Sequence, residues 1–163
     1  MPGRLPTPLS ILWDMGGTLF DTYPDVNAAL ASCLARHGHR VSIDEVAALT
    51  KVSSTHAITT LADTYGVPTT ALRSDYDAVK KRWETDPAPL MDGAIELMEL
   101  ARNSGGLNIV VTHRDRDSAL TLLEASGVSV DDIICAPSGY PRKPDPTMMT
   151  LSLIHISEPT RLL

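Results

Sequence analysis

Leu9-Ser10-Ile11-Leu12-Trp13-Asp14-Met15-Gly16-Gly17-Thr18-Leu19 is the stretch on which the fold turns. Its apolar run, Leu9 to Trp13, reads as a short buried strand, and Asp14 with the pair Gly16-Gly17 closes it in a tight turn. The same pattern returns twice downstream. Leu107-Asn108-Ile109-Val110-Val111 is a second strand closed by Thr112, and Ile133-Ile134-Cys135-Ala136 is a third. Between them, Gly93–Asn103 reads as a helix stopped by Ser104-Gly105-Gly106, and Asp117–Ser126 as a helix stopped by Gly127. Strands that alternate with helices pair in parallel, with helices on the sheet faces.

The alternation is interrupted after the first strand. Pro24–Gly38 reads as a helix, with Pro24 in its first turn and Val26, Leu30, Cys33 and Leu34 at helical spacing. Ser42-Ile43-Asp44-Glu45 has the form of a capping box. Two more helices are expected near Ser54–Tyr65 and Thr70–Trp83, with Gly66-Val67-Pro68 between them, and Asp86-Pro87-Ala88-Pro89 has the composition of a linker. The expected organisation is a discontinuous α/β core, 1–22 and 89–150, with an all-α insertion over 23–88. Beyond Thr150 the sequence changes character. Leu151–Arg161 resembles translated sequencing-adapter sequence, so 151–163 is set aside as a non-native tail. The fold class expected is α/β: a Rossmann-like parallel sheet core with an inserted all-α cap, C-terminally truncated.

Composition narrows the function. Of 163 residues 43% are hydrophobic but only 4% aromatic, so the core must be aliphatic. A formal charge of −6, a pI near 5.2 and the lack of any basic block argue against a nucleic-acid partner. Cys33 and Cys135, far apart in apolar stretches, read as small buried residues rather than a disulfide framework. The run Leu9–Trp13 is too short for a signal h-region, and no stretch approaches a membrane span, so the expected location is the cytoplasm.

Chemistry concentrates at the strand ends. Ligands in open α/β sheets bind at the carboxyl ends of strands. Asp14 follows the first strand and Thr112 closes the second. Arg142-Lys143-Pro144-Asp145-Pro146 follows the third and precedes a further helix. A carboxylate, a hydroxyl and an ammonium are thus directed to one crevice.

This combination resembles the haloacid dehalogenase (HAD) superfamily of hydrolases, in its phosphoglycolate-phosphatase-like form with a small helical cap. The first motif of that family, an Asp with a variable pair and then Gly-Thr-Leu, stands here as Asp14 to Leu19. The second, a Ser or Thr closing a strand, stands as Thr112. The third, a Lys in a Lys-Pro-x-Pro setting, stands as Lys143 to Pro146. The resemblance implies a Mg²⁺-dependent phosphatase for a small phosphorylated metabolite. Asp14 would be the nucleophile that forms an aspartyl-phosphate, Thr112 would bond a phosphoryl oxygen, and Lys143 would neutralise charge. It also implies Mg²⁺ on the Asp14 carboxylate and the Gly16 carbonyl, with Gly17 and His113 lining the substrate and amides near Gly16-Gly17 helping to cradle phosphate.

Two departures stand out. The family's phosphatases carry a second Asp two residues after the nucleophile, where this chain has Gly16; His113 and Asp21 are the candidate substitutes. The acidic fourth motif, which supplies further metal carboxylates, lies beyond the third and is not present. Gly16 opens two alternatives: a phosphonoacetaldehyde-type C–P hydrolase with Lys51 as Schiff base, or a non-catalytic phosphate-binding member. Other polar groups have plainer readings. Arg114-Asp115-Arg116-Asp117 suits a solvated helix start, His37 and His39 flank a helix-ending Gly and are expected in solvent, His56 reads as an ordinary helical residue of the insertion, and Lys51, Lys80 and Lys81 sit on solvated faces.

Overall fold

Three short apolar runs pair into one parallel sheet in a computed structural model, which describes residues 8–135 and 145–157. In chain order the elements are β1 (Ile11–Trp13), α1 (Tyr23–Arg36), α2 (Ile43–Thr50), α3 (Ser54–Tyr65), α4 (Thr69–Arg82), α5 (Ala94–Asn103), β2 (Asn108–Thr112), α6 (Arg116–Ala125), β3 (Asp132–Cys135) and α7 (Thr147–Ser157). The sheet order is β1-β2-β3, with Trp13 opposite Val110 and Thr112 opposite Cys135. The fold is α/β: a Rossmann-like parallel sheet with an all-α segment inserted after its first strand. By their internal contacts, 1–20 with 89–163 form one compact unit and Asp21–Ala88 a second.

The α/β unit is built on β2, whose five residues are all buried, as a strand covered on both faces requires. Side chains alternate across a strand. Ile109, Val111 and Ile134 therefore share a face, and Met148 of α7 closes a dry cluster over them, with Leu12, Leu107 and Leu151 packed at its margin. Asn108 points the other way. It is fully buried, yet its Oδ1 accepts from Trp13 Nε1 at 2.9 Å and its Nδ2 donates to the Met98 carbonyl of α5 at 3.0 Å. A buried polar group is tolerated only when so paired.

Just before the sheet the chain passes backbone against backbone at Gly106. A Cβ there would sit 1.9 Å from the Leu9 carbonyl oxygen, so only glycine fits. Side chains make the neighbouring ties: the Leu9 N–H donates to Ser104 Oγ, and the Leu107 N–H donates to Ser10 Oγ. For this reason β1 begins at Ile11, two residues later than the apolar run suggests.

In the helical unit, α1 packs on α2 and α4, and α3 on α2 and α4. Leu30, Leu34, Val46, Ile58, Leu61 and Leu72 form its dry interior. Ser42 caps α2 by accepting the Glu45 N–H, but the return half of the expected capping box is replaced. Glu45 accepts instead from the Tyr65 hydroxyl, which holds that hydroxyl's pKa above its usual value. His39, expected in solvent, is half-buried against the Tyr65 ring. His37 is exposed as expected, and Cys33 and Cys135 are both buried thiols. Helix α7 runs through Thr150 without a break. Among the described residues, no helix is long and apolar enough to cross a membrane.

Candidate active site

The loop after β1 fixes where each of its side chains goes. The Leu19 N–H bridges the Asp14 and Met15 carbonyls at 3.2 and 3.1 Å, and the Phe20 N–H donates to Met15 at 2.9 Å. The Gly17 N–H turns back to the Phe20 carbonyl at 2.7 Å. Gly17 adopts φ +77°, a left-handed conformation that disfavours any side chain. Met15, Leu19 and Phe20 are buried by this arrangement, while Asp14 and Thr18 are left on the surface. The segment after the linker completes the loop. Leu90 pairs antiparallel with Phe20, and the Met91 N–H donates to the Leu19 carbonyl. The sequence reading missed this support; the apolar pair Leu90-Met91 directly after Pro89 was its only signal.

On the neighbouring strand, Thr112 ends β2 and is buried. Its Oγ1 accepts the Arg114 N–H at 3.1 Å, which sets the turn that carries half-buried His113. Asp115 then caps α6 by accepting the Ser118 N–H at 2.8 Å. Arg114 donates to Ser118 Oγ, and Arg116 to the Ile133 carbonyl. The alternating charge run is therefore a helix start, as its composition suggests. At the end of β3, burial pushes the Cys135 thiol pKa up.

Register puts two of the anticipated residues together. Trp13 lies opposite Val110, so Asp14 stands level with Val111, and Thr112 is one residue beyond on the adjacent strand. Both occupy the carboxyl edge of the sheet. Gly16 and Gly17 lie in the Asp14 loop, but the Gly17 amide is committed within that loop and does not supply an anion-cradling donor. Lys143 lies outside the described residues. Asp145, two residues on, anchors the start of α7. Its carboxylate accepts from the Thr147 hydroxyl and, at 2.9 Å, the Thr147 N–H, and these bonds hold its pKa below the usual range.

Among the described residues, no group of three or more His, Cys, Asp or Glu side chains is placed to hold a metal ion. An exposed carboxylate two residues from a glycine carbonyl in the same loop still suits one kind of ion. Mg²⁺ prefers hard oxygen donors, keeps several waters, and often uses one or two carboxylates plus substrate phosphate. Asp14 and the Gly16 carbonyl are oxygen donors of that type.

A family model of haloacid dehalogenase-like hydrolases matches residues 10–159. The chain belongs to that family. Its fold recurs in solved structures. A hydrolase from Streptococcus pneumoniae TIGR4 is 30% identical, covering 90% of this chain and 78% of the other, with a TM-score of 0.64. A haloacid dehalogenase family hydrolase from Deinococcus radiodurans R1, with bound phosphate and sodium, is 20% identical over 94% of this chain and 69% of its own, with a TM-score of 0.74. A phosphoglycolate phosphatase from Haemophilus somnus 129PT, so named by prediction, is 16% identical over 91% and 71%, with a TM-score of 0.71. No curated protein matches the chain.

Proposed function

We propose that this haloacid dehalogenase-like hydrolase is a Mg²⁺-dependent phosphatase acting on a small phosphorylated metabolite. One observation carries the reading: Asp14 is exposed at the carboxyl edge of the sheet, with Thr112 one residue beyond its level on the next strand. The phosphate bound in the Deinococcus radiodurans relative supports a phosphate-bearing substrate.

In this reading an Asp14 carboxylate oxygen attacks phosphorus and displaces the alcohol, giving an aspartyl-phosphate that water then cleaves. The rigid loop matters because attack requires a carboxylate held in line with the leaving oxygen. Thr112 accepts the Arg114 N–H and has its own O–H to donate to a phosphoryl oxygen. Lys143 supplies positive charge where the phosphoryl oxygens gain negative charge. Asp14 and the Gly16 carbonyl would hold Mg²⁺, which when bound offsets the repulsion between two anions. Gly17 contributes through the shape of the loop. The inserted helices, expected to act as a cap, are the part that varies substrate choice.

The test is phosphate release from a panel of small phosphate esters with and without Mg²⁺. Release should require Mg²⁺, and Asp14→Asn should lower it by roughly 10,000-fold or more, as loss of a covalent nucleophile does. Retained turnover in that variant, or none by the unaltered protein on any ester, overturns the proposal.

A further inference from the structure

We propose that His113 is the general acid and base of this site, doing the work for which position 16 has no side chain. The inference rests on the phosphatase reading above. When Asp14 attacks phosphorus, the phosphorus–ester oxygen bond breaks and the oxygen leaves as an alkoxide. An alkoxide is too basic to depart near neutral pH unless a proton reaches it as the bond breaks.

Among the described residues, few groups at the carboxyl edge of the sheet can give that proton. Asp14 is the nucleophile, and Gly16 has only a hydrogen. The Thr112 oxygen already holds the Arg114 N–H, and a neutral hydroxyl is a weak acid. The Arg114 and Arg116 guanidinium groups keep their protons in proteins. Asp115 is engaged as the cap of α6. The Cys135 thiol is buried, which disfavours its ionised form.

His113 is different in type and in placement. An imidazole ordinarily titrates near pH 6.5, close to the ideal for a group that must both give and take a proton at neutral pH. His113 is half-buried in a turn fixed on one side by the Thr112–Arg114 bond and on the other by the Asp115 cap. Two residues separate it from the level of Asp14 on the adjacent strand. Ordinary strand spacing and rise put the two backbones on the order of 8 Å apart. That gap suits a phosphoryl group between a carboxylate and an imidazole. The charged groups near it along the chain and across the strand register are Arg114 and Asp115 in its own turn, Arg116 at the start of α6, and Asp14 after β1.

The proton count closes. The imidazolium gives its ring proton to the departing oxygen, releasing an alcohol. The neutral imidazole then takes a proton from the water that attacks phosphorus. The Asp14 oxygen–phosphorus bond breaks, inorganic phosphate leaves, and the imidazolium is restored.

Leaving-group dependence separates this role from a structural one. Two esters suffice: an alkyl phosphate such as glycerol phosphate, and 4-nitrophenyl phosphate, whose leaving group departs without a proton. In His113→Gln, kcat/KM for the alkyl ester should fall about 100-fold or more. For the aryl ester kcat/KM should stay within a few-fold. Its kcat should fall behind a burst of nitrophenolate, because the phosphoenzyme then lacks its base. For the alkyl ester, the unaltered protein should lose kcat/KM as pH rises through the imidazole range, and the variant should lack that limb. In case the variant folds poorly, the His113 ring of the unaltered protein is titrated by NMR, and its pKa should rise when inorganic phosphate is added. An equal loss on both esters, no loss on either, or an unmoved His113 titration overturns the proposal. So does the same split between esters in Asp21→Asn. If the unaltered protein cleaves neither ester, the phosphatase reading itself fails; turnover without the split removes only the role of His113.

Discussion

At the base of the sheet, Asn108 joins Trp13 to the Met98 carbonyl through neutral hydrogen bonds, above a dry cluster of Ile109, Val111, Ile134 and Met148. The helical unit has a buried neutral tie too, Thr50 of α2 donating to Asn27 of α1 at 2.7 Å, but three of its ties between elements use charged groups. Arg36 on α1 pairs with Asp75 on α4, Glu45 on α2 meets Tyr65 at the end of α3, and Asp25 on α1 receives both Trp83 Nε1 and Arg82. The contrast has a physical consequence. Neutral buried pairs depend on shape and are indifferent to pH and salt, whereas part-exposed ion pairs are screened and titrate. The unit that carries Asp14 and Thr112 should therefore break by geometry, and the inserted helices should yield first to charge.

The sharpest geometric break is Gly106→Ala. The added Cβ would meet the Leu9 carbonyl oxygen at 1.9 Å and the Leu9 carbonyl carbon at 2.3 Å, so backbone must move just before β1 and β2 begin. A loss of about 3 kcal/mol is expected, at the upper end for an overpacked site. For a chain of this size that lowers the melting temperature by roughly 10 °C. An unchanged melting curve would show that this crossing is looser than it looks. Asn108→Leu tests the polar half of the same frame. It keeps the volume but strands the buried Trp13 N–H and removes the second bond to the Met98 carbonyl, which keeps its helix bond, for an expected cost of about 2 kcal/mol. Adding Trp13→Phe should recover part of that cost, because one stranded donor is then gone. Strict additivity of the two changes in a double-mutant cycle would deny the coupling.

The same contrast governs how much could be seen from sequence. Strand identity at the site was legible in local pattern: an apolar run, then Asp14 and two glycines, then a second run ending in Thr112. Residues whose partners are distant in sequence were not. Glu45 looks like the far half of a capping box, but a tertiary partner, the Tyr65 hydroxyl, takes its carboxylate. Leu90 and Met91 follow a stretch with linker composition, yet their backbone braces the Asp14 loop. Leu9 and Ser10 continue an apolar run, but their hydrogen bonds use serine side chains rather than the strand ladder. The glycines divide in the same way. Gly17 is readable as a turn, whereas the need for glycine at 106 arises only from a backbone nearly a hundred residues away.

Asp25 gives the smallest effect and the most specific test of the charged half. Burial pushes its pKa up, but the hydrogen bonds from Trp83 and Arg82, with the charge of Arg82, outweigh that and leave it below the ordinary 3.8. A folded-state value depressed in this way adds stability that is present above the unfolded value and lost as pH falls through the folded one. The contribution is therefore constant near neutral pH and disappears below about pH 4. Asp25 is about a third exposed, at 34%, so solvent screening keeps the effect under about 1 kcal/mol. Asp25→Asn keeps an acceptor for Trp83 and removes the charge. The gap in unfolding free energy between the two proteins should be steady from pH 5 to 8 and close towards pH 3, and added salt should narrow it at neutral pH. A gap that persists undiminished at pH 3 would mean that the fit of the side chain at position 25, rather than the carboxylate charge, separates the two proteins. The helical unit would then be held by shape, like its neighbour.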